Sequence, residues 1–109
     1  MTGAIKFDAN LRTSDPAIFA VGDAIEITNT VSGAPTRIPL AGPANRQGRL
    51  VADSISKSPP RPYKGTLSTA TLKVFDLAAA STGLNDRHAR AAGLDCIASI
   101  THSASPASY

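Results

Sequence analysis

Residues 58–62 read Ser-Pro-Pro-Arg-Pro, and no other stretch limits the fold as strongly. Proline fixes its own φ and donates no backbone hydrogen bond, so neither a helix interior nor a central strand can pass through it. The stretch predicts a stiff, extended connection. It divides the chain into residues 1–57, a linker over 58–65, and residues 66–109. With 109 residues in all, there is room for one small domain or for part of something larger.

Residues 4–8 alternate apolar and polar side chains, as a half-buried strand does. Residues 10–16 are polar and turn-rich, with Asp8 and Asp15 placed as turn formers. Residues 17–21 read as a short, fully buried strand of the kind found inside a parallel sheet. Residues 25–28 are β-branched and predict a further strand or edge hairpin, and residues 30–36 a turn or loop broken by Gly33 and Pro35. A helix is predicted from Ala41 to Ser56, with Pro43 in its first turn and Leu50, Val51 and Ile55 on its apolar stripe. Beyond the linker, strands are expected within residues 66–80. A short helix follows over 85–92, with Asn85 as N-cap and Gly93 as C-terminal stop. A last strand is expected over 96–101. Neither part closes a sheet with its own core, so both ends read as cut.

Composition narrows the function classes. The apolar fraction of 42% is globular, and the core must be built from Ala, Leu, Ile and Val. A dispersed net charge of +3 does not favour nucleic acid. No apolar run approaches the ~18 residues of a membrane span. The first residues lead into a strand-like segment and do not resemble a signal peptide. A single cysteine, Cys96, excludes an internal disulfide and fits a reduced, cytoplasmic setting. His88 and His102 lack partners at metal-ligand spacing, so no metal site is expected.

The apolar run 18–21 ends abruptly at Gly22-Asp23-Ala24. This has two readings. The dipeptide is a strand-ending turn, or it marks the carboxyl end of a strand in an open α/β sheet, where ligands bind. In the second case glycine lets a ligand approach the backbone, and the aspartate accepts hydrogen bonds from hydroxyls.

The wider pattern supports the second reading. Thr13, followed by Ile18-Phe19-Ala20-Val21-Gly22-Asp23-Ala24, resembles the second flavin-binding motif of the FAD-dependent pyridine nucleotide–disulfide oxidoreductases. Ile38-Pro39-Leu40-Ala41-Gly42-Pro43-Ala44-Asn45-Arg46-Gln47-Gly48-Arg49 narrows the resemblance. So do Tyr63-Lys64-Gly65-Thr66 and the stretch from Leu72-Lys73-Val74-Phe75-Asp76 to Gly83-Leu84. Together they look like the branch of CoA-disulfide reductases, NADH oxidases and NADH peroxidases, and the likeness runs over residues 3–109. The fold implied is α/β, an incomplete piece of such an enzyme. It holds the end of the Rossmann-like FAD domain (1–57) and the truncated start of the dimerisation domain (66–109).

The resemblance also implies roles. Asp23 matches the aspartate that holds a ribityl hydroxyl of FAD, and Gly22 the glycine that lets the cofactor close in. Ala24 matches a residue whose N–H lies near the pyrophosphate. Leu40, Ala41, Gly42 and Ala44 match the start of a helix aimed at the pyrimidine end of the flavin. A helix N-terminus so aimed would stabilise the anionic reduced flavin.

A complete member also has a G-x-G-x-x-G fold, a redox-active cysteine and a second nucleotide-binding domain for NAD(P)H, none of which this sequence contains. Cys96 falls in the dimerisation segment and reads as a buried, inert thiol. Relatives carry a His-Ala-(Ser/Gly)-Tyr-Tyr stretch near the C-terminus. Here Pro106 stands in place of that histidine and Tyr109 matches the first tyrosine. Arg46 and Arg49 read as solvated surface or ion-pair residues, with contact to a cofactor phosphate or a CoA-like substrate as the alternative. Lys64 to Thr66 read as the lead into the dimerisation sheet. The expected parent is an NAD(P)H-dependent flavoenzyme that forms a homodimer. The chain by itself is expected to lack catalytic residues and to pair with the missing N-terminal portion. The competing readings are a stand-alone FAD-binding or protein-interaction module and a non-functional gene remnant.

Overall fold

The structure is a computed structural model that describes residues 3–56, 59 and 61–102. Its first part is organised by Asp8. The carboxylate of Asp8 accepts the N–H groups of Asn10 and Arg12 at 2.8 and 3.0 Å. This turn holds Leu11 at φ +65°, a left-handed backbone that a branched side chain seldom adopts. Burial offsets the strain, because Leu11 is fully enclosed.

The chain then doubles back. Asp15 accepts the N–H of Ala17, the N–H of Thr13 donates to the Ile18 carbonyl, and that of Ala20 to the Leu11 carbonyl. Arg12 covers the Phe19 ring, its guanidinium carbon 4.9 Å from the centroid. Residues 17–21 are therefore not the fully buried parallel strand that the apolar run predicts. They pair antiparallel with residues 11–13 through a single Arg12–Phe19 bridge. Only Ala20 is buried, while Ile18 and Val21 are exposed. Two Asx turns close this local fold-back, and hydrophobicity alone does not specify the partner strand. Residues 4–8 also fall short of a strand and contribute one parallel bridge, Ile5 to Ile25.

A 3-10 turn, Gly22–Ala24, leads to strand β1, Ile27–Thr28. β1 pairs antiparallel with β2, Pro35–Thr36. Asn29 shapes their connection: its side-chain oxygen accepts the N–H groups of Val31 and Ser32, and Gly33 completes the turn at φ +68°. Helix α1 spans Ala41–Ile55. It buries Gln47 and Leu50 and half-buries Val51 beside them, while Ile55, expected on the same stripe, is exposed. The core consists of Leu11, Ala20, Ile25, Ile27 and Leu50, with Phe7, Ile38, Val51 and Tyr63 against it. Tyr63 donates its N–H to Ala9, and Asn29 bridges to Thr66, so the chain beyond the linker is fastened back onto this core.

Strands β3, Ala70–Val74, and β4, Leu77–Ser81, fall where strands are expected and pair as an antiparallel hairpin. Every residue of it except Ala70 is exposed. Helix α2, Asp86–Ala91, is capped by Asn85, whose side chain accepts the His88 N–H at 2.8 Å. Gly93 at φ +73° ends it. Residues 96–101 form no strand; β3 and β4 pair with each other, and no neighbouring edge among the described residues receives this segment. Ile97 and Ile100 lie open at 98% and 84% exposure. Part of the linker and the expected Pro106 and Tyr109 element lie outside the described residues.

The radius of gyration is 17.1 Å, against about 13 Å for a compact domain of this length. A core of five side chains and a hairpin exposed at all but Ala70 account for the difference.

Candidate functional site

Val21 is extended, and at Gly22 the backbone turns to φ +82°. A Cβ there would meet nothing within 4 Å. Glycine is needed for the conformation, and the space beside it is open to an approaching group. The Gly22 N–H points inward, where Gln47 of α1 accepts it at 2.7 Å. Gln47 is 1% exposed, so this bond clasps the turn to the helix in a nearly dry setting. Arg37 adds a second tie, donating to the Asp23 carbonyl at 3.4 Å. The segment that leads into α1 is thereby fixed to the same turn.

Asp23 and Ala24 lie at the surface. The carboxylate of Asp23 accepts no hydrogen bond and forms no ion pair among the described residues. It is a free acceptor on a fixed backbone. Leu40 is the N-cap of α1 and has no side-chain cap to offer. Pro43 has no N–H, and the N–H groups of Ala41 and Gly42 find no acceptor among the described residues. Ala44 closes the first turn by donating to Leu40 at 3.2 Å. The predicted residues thus fall into two sets, free acceptor oxygens at Asp23 and free donors at the start of α1. Such a set fits a ligand with hydroxyls at one place and an electron-rich edge at another.

Gln47 and Arg37 were not singled out by sequence reasoning, although both tie the site together. A signal existed for Gln47: it falls on the apolar stripe with Leu50, where a polar side chain needs a buried partner. Nothing in the sequence marked Arg37. The other predicted residues stand apart from this site. Cys96 is partly buried, not enclosed, and its Sγ lies 3.9 Å from the Asp86 carbonyl. His88 and His102 are exposed, and no cluster of His, Cys, Asp or Glu suited to a metal occurs among the described residues. Among the described residues no helix is long and apolar enough to cross a membrane. A cleft of about 710 Å³ lies between the β1–β2 hairpin and α2, and Asp23 is not part of it. Gly42 lines a separate cleft of about 500 Å³.

No family model matches the chain. Individual proteins do. An NADH oxidase of Enterococcus faecalis is 37% identical over 98 residues, which is 90% of this chain and 22% of that protein. The structure of reduced Bacillus anthracis CoADR-RHD matches with TM-score 0.79 and 49% identity, over 85% of this chain and 17% of that one. An FAD-dependent pyridine nucleotide–disulphide oxidoreductase of Desulfovibrio vulgaris matches with TM-score 0.80 and 38% identity, over 87% and 24%. The chain resembles FAD-dependent pyridine nucleotide–disulfide oxidoreductases over most of its own length. It spans about a fifth of the length of the relatives it matches, and its mixed α/β fold corresponds to that part of theirs.

Proposed function

We propose that this chain is the stretch of an FAD-dependent NAD(P)H oxidoreductase that touches the ribityl chain and pyrimidine end of the flavin. Asp23 accepts hydrogen bonds from ribityl hydroxyls, and Gly22 leaves room for the cofactor to close in. The Ala24 N–H lies toward the pyrophosphate. Leu40, Ala41, Gly42 and Ala44 present the N-terminus of α1, whose partial positive charge stabilises negative charge on the pyrimidine edge. FAD supplies hydride acceptance from NAD(P)H and onward electron transfer. This chain's residues bind and orient it, and the redox thiol and the nicotinamide site belong to other parts of the enzyme. Residues 66–109 open the interface domain of a homodimer, and the setting is cytoplasmic.

The observation that carries this reading is the Gly22–Gln47 hydrogen bond of 2.7 Å, which fixes the open turn and its free carboxylate to α1. The test is an FAD titration of the chain, read by flavin fluorescence. Asp23→Ala removes a hydrogen bond to a charged acceptor and is expected to weaken binding by about tenfold or more. Equal affinity in the two proteins refutes the assignment of Asp23. A second reading, a protein-interaction module, is favoured by the exposure of Leu72, Val74, Phe75 and Leu77 on one hairpin. A yellow product on purification favours flavin binding. A colourless, self-associating product favours the interaction module.

A further inference from the structure

We infer that the β1–β2 hairpin is a strut through which residues 66–68 set the position of the Asp23 turn. The placement of the chain beyond the linker thereby regulates the flavin contact, a step that rests on the function proposed above. The hairpin is two residue pairs long. That is too short to hold its own shape, so its placement is decided by what grips its ends. At the tip, Asn29 is 5% exposed and reaches across the junction, its Nδ2 donating to Ser68 Oγ at 3.4 Å. The N–H and the hydroxyl of Thr30 both donate to the Thr66 carbonyl, at 3.3 and 3.2 Å. Ser68 stands at φ +59°, a left-handed backbone that a non-glycine residue keeps only where its surroundings hold it. Here the Thr66 hydroxyl accepts the Ser68 N–H at 3.1 Å, and Asn29 engages its Oγ.

At the base, both strands lead to the turn. β1 follows closely on Gly22–Ala24, and the buried Ile25 and Ile27 seat it in the core. β2 has no buried residue. Its course is set by pairing with β1 and by the tip, and Arg37, the next residue, donates to the Asp23 carbonyl. The grip on the tip thus runs along β2 to Arg37, and from there to the backbone that presents Asp23. Paired strands with hydrogen bonds at both ends carry a displacement as a unit. Thr30 and Ser68 belong neither to the Asp23 turn nor to the start of α1. They act through the strut and are positioning residues.

The experiment is nitrogen-15 relaxation of the full chain, reading backbone order parameters at Asp23 and Ala24. Thr30→Val combined with Ser68→Ala removes the side-chain grip and leaves the Asn29 turn, whose Oδ1 accepts from Val31 and Ser32, intact. The order parameters at Asp23 and Ala24 should fall from the rigid range near ~0.85 toward ~0.6, with the middle of α1 unchanged. Thr30→Ser, which keeps the hydroxyl, should match the unaltered chain. Arg37→Met should loosen the turn with the tip intact. Thr82→Val breaks a hydroxyl pair with Thr69 inside the second part and should leave the turn rigid. In an FAD titration the double variant should lose about three- to tenfold in affinity. It should lose no more where Asp23→Ala is already present. Circular dichroism identifies a double variant that has lost its fold, and Thr30→Val alone then takes its place. Unchanged order parameters at Asp23 and Ala24 overturn the proposal. So does an equal fall with Thr82→Val, a fall spread evenly over α1, or undiminished FAD affinity in the double variant. If the unaltered chain binds no FAD, the flavin reading fails by itself, and the relaxation result still decides the strut.

Discussion

Gly22 and Gly65 share a φ of +82° in different surroundings, and the pair allows strain to be separated from collision. At Gly22 a Cβ would meet nothing within 4 Å. Gly22→Ala therefore costs only the left-handed penalty, about 1–2 kcal/mol, less the ~0.4–1 kcal/mol gained by restricting the unfolded chain. At Gly65 the same Cβ would lie 2.6 Å from the Thr28 carbonyl oxygen and 3.1 Å from Cγ2 of Thr30. That carbonyl cannot move freely. Next to it, Asn29 bridges to Thr66, and the N–H and hydroxyl of Thr30 both donate to the Thr66 carbonyl. Relieving the contact means shifting this junction, and overpacking of this kind costs about 1–3 kcal/mol more. Gly65→Ala is thus expected to lose about 2–4 kcal/mol, and Gly22→Ala about 1 kcal/mol. Urea unfolding followed by circular dichroism measures both. With a slope of about 1–2 kcal/mol per molar, their midpoints should differ by roughly 1–2 M. Coincident midpoints would refute the steric argument and show that φ alone sets the cost at both glycines.

Two further variants address the clasp and the cap. Gln47→Leu leaves the Gly22 N–H without its acceptor and should cost about 1–3 kcal/mol. Hydrogen exchange of the Gly22 amide should accelerate with it, and Gln47→Glu, which keeps an acceptor, should restore protection. Asn85→Ala removes the α2 cap and should cost about 1 kcal/mol. The loss should be local, with faster exchange at the His88 amide and none at Gly22.

The elements legible in the sequence were those fixed by their own residues. The Ala41–Ile55 helix follows from its stripe and from Pro43, and α2 from Asn85 and Gly93. The β1–β2 turn falls within residues 30–36, and the β3–β4 strands overlap the predicted stretch 66–80, with β4 running one residue past it. Residues 4–8, 17–21 and 96–101 were misread for one reason. Their apolar patterns announce a willingness to pair, while pairing depends on a distant edge. Residues 17–21 found a local partner because Asp8 and Asp15 fold the chain back on itself. Residues 96–101 found none among the described residues. The candidate site divided in the same way. Gly22 and Asp23 stood out as a local motif. The contributions of Gln47 and Arg37 depend on tertiary placement.

The clasp between Gly22 and Gln47 spans 25 residues, and the Thr30–Thr66 tie spans 36. In kinetic terms the two loops overlap, since α1 lies inside the larger loop while Gly22 lies outside it. Loop-closure entropy rises by only about 0.6 kcal/mol per doubling of length, so neither closure is prohibitive, and their order is set by what each must wait for. The β1–β2 turn and α1 need only local contacts and can form early. The Gly22 clasp must wait for α1 to dock. The surface that presents Asp23 is therefore a late product of folding, complete only when the helix has found the core.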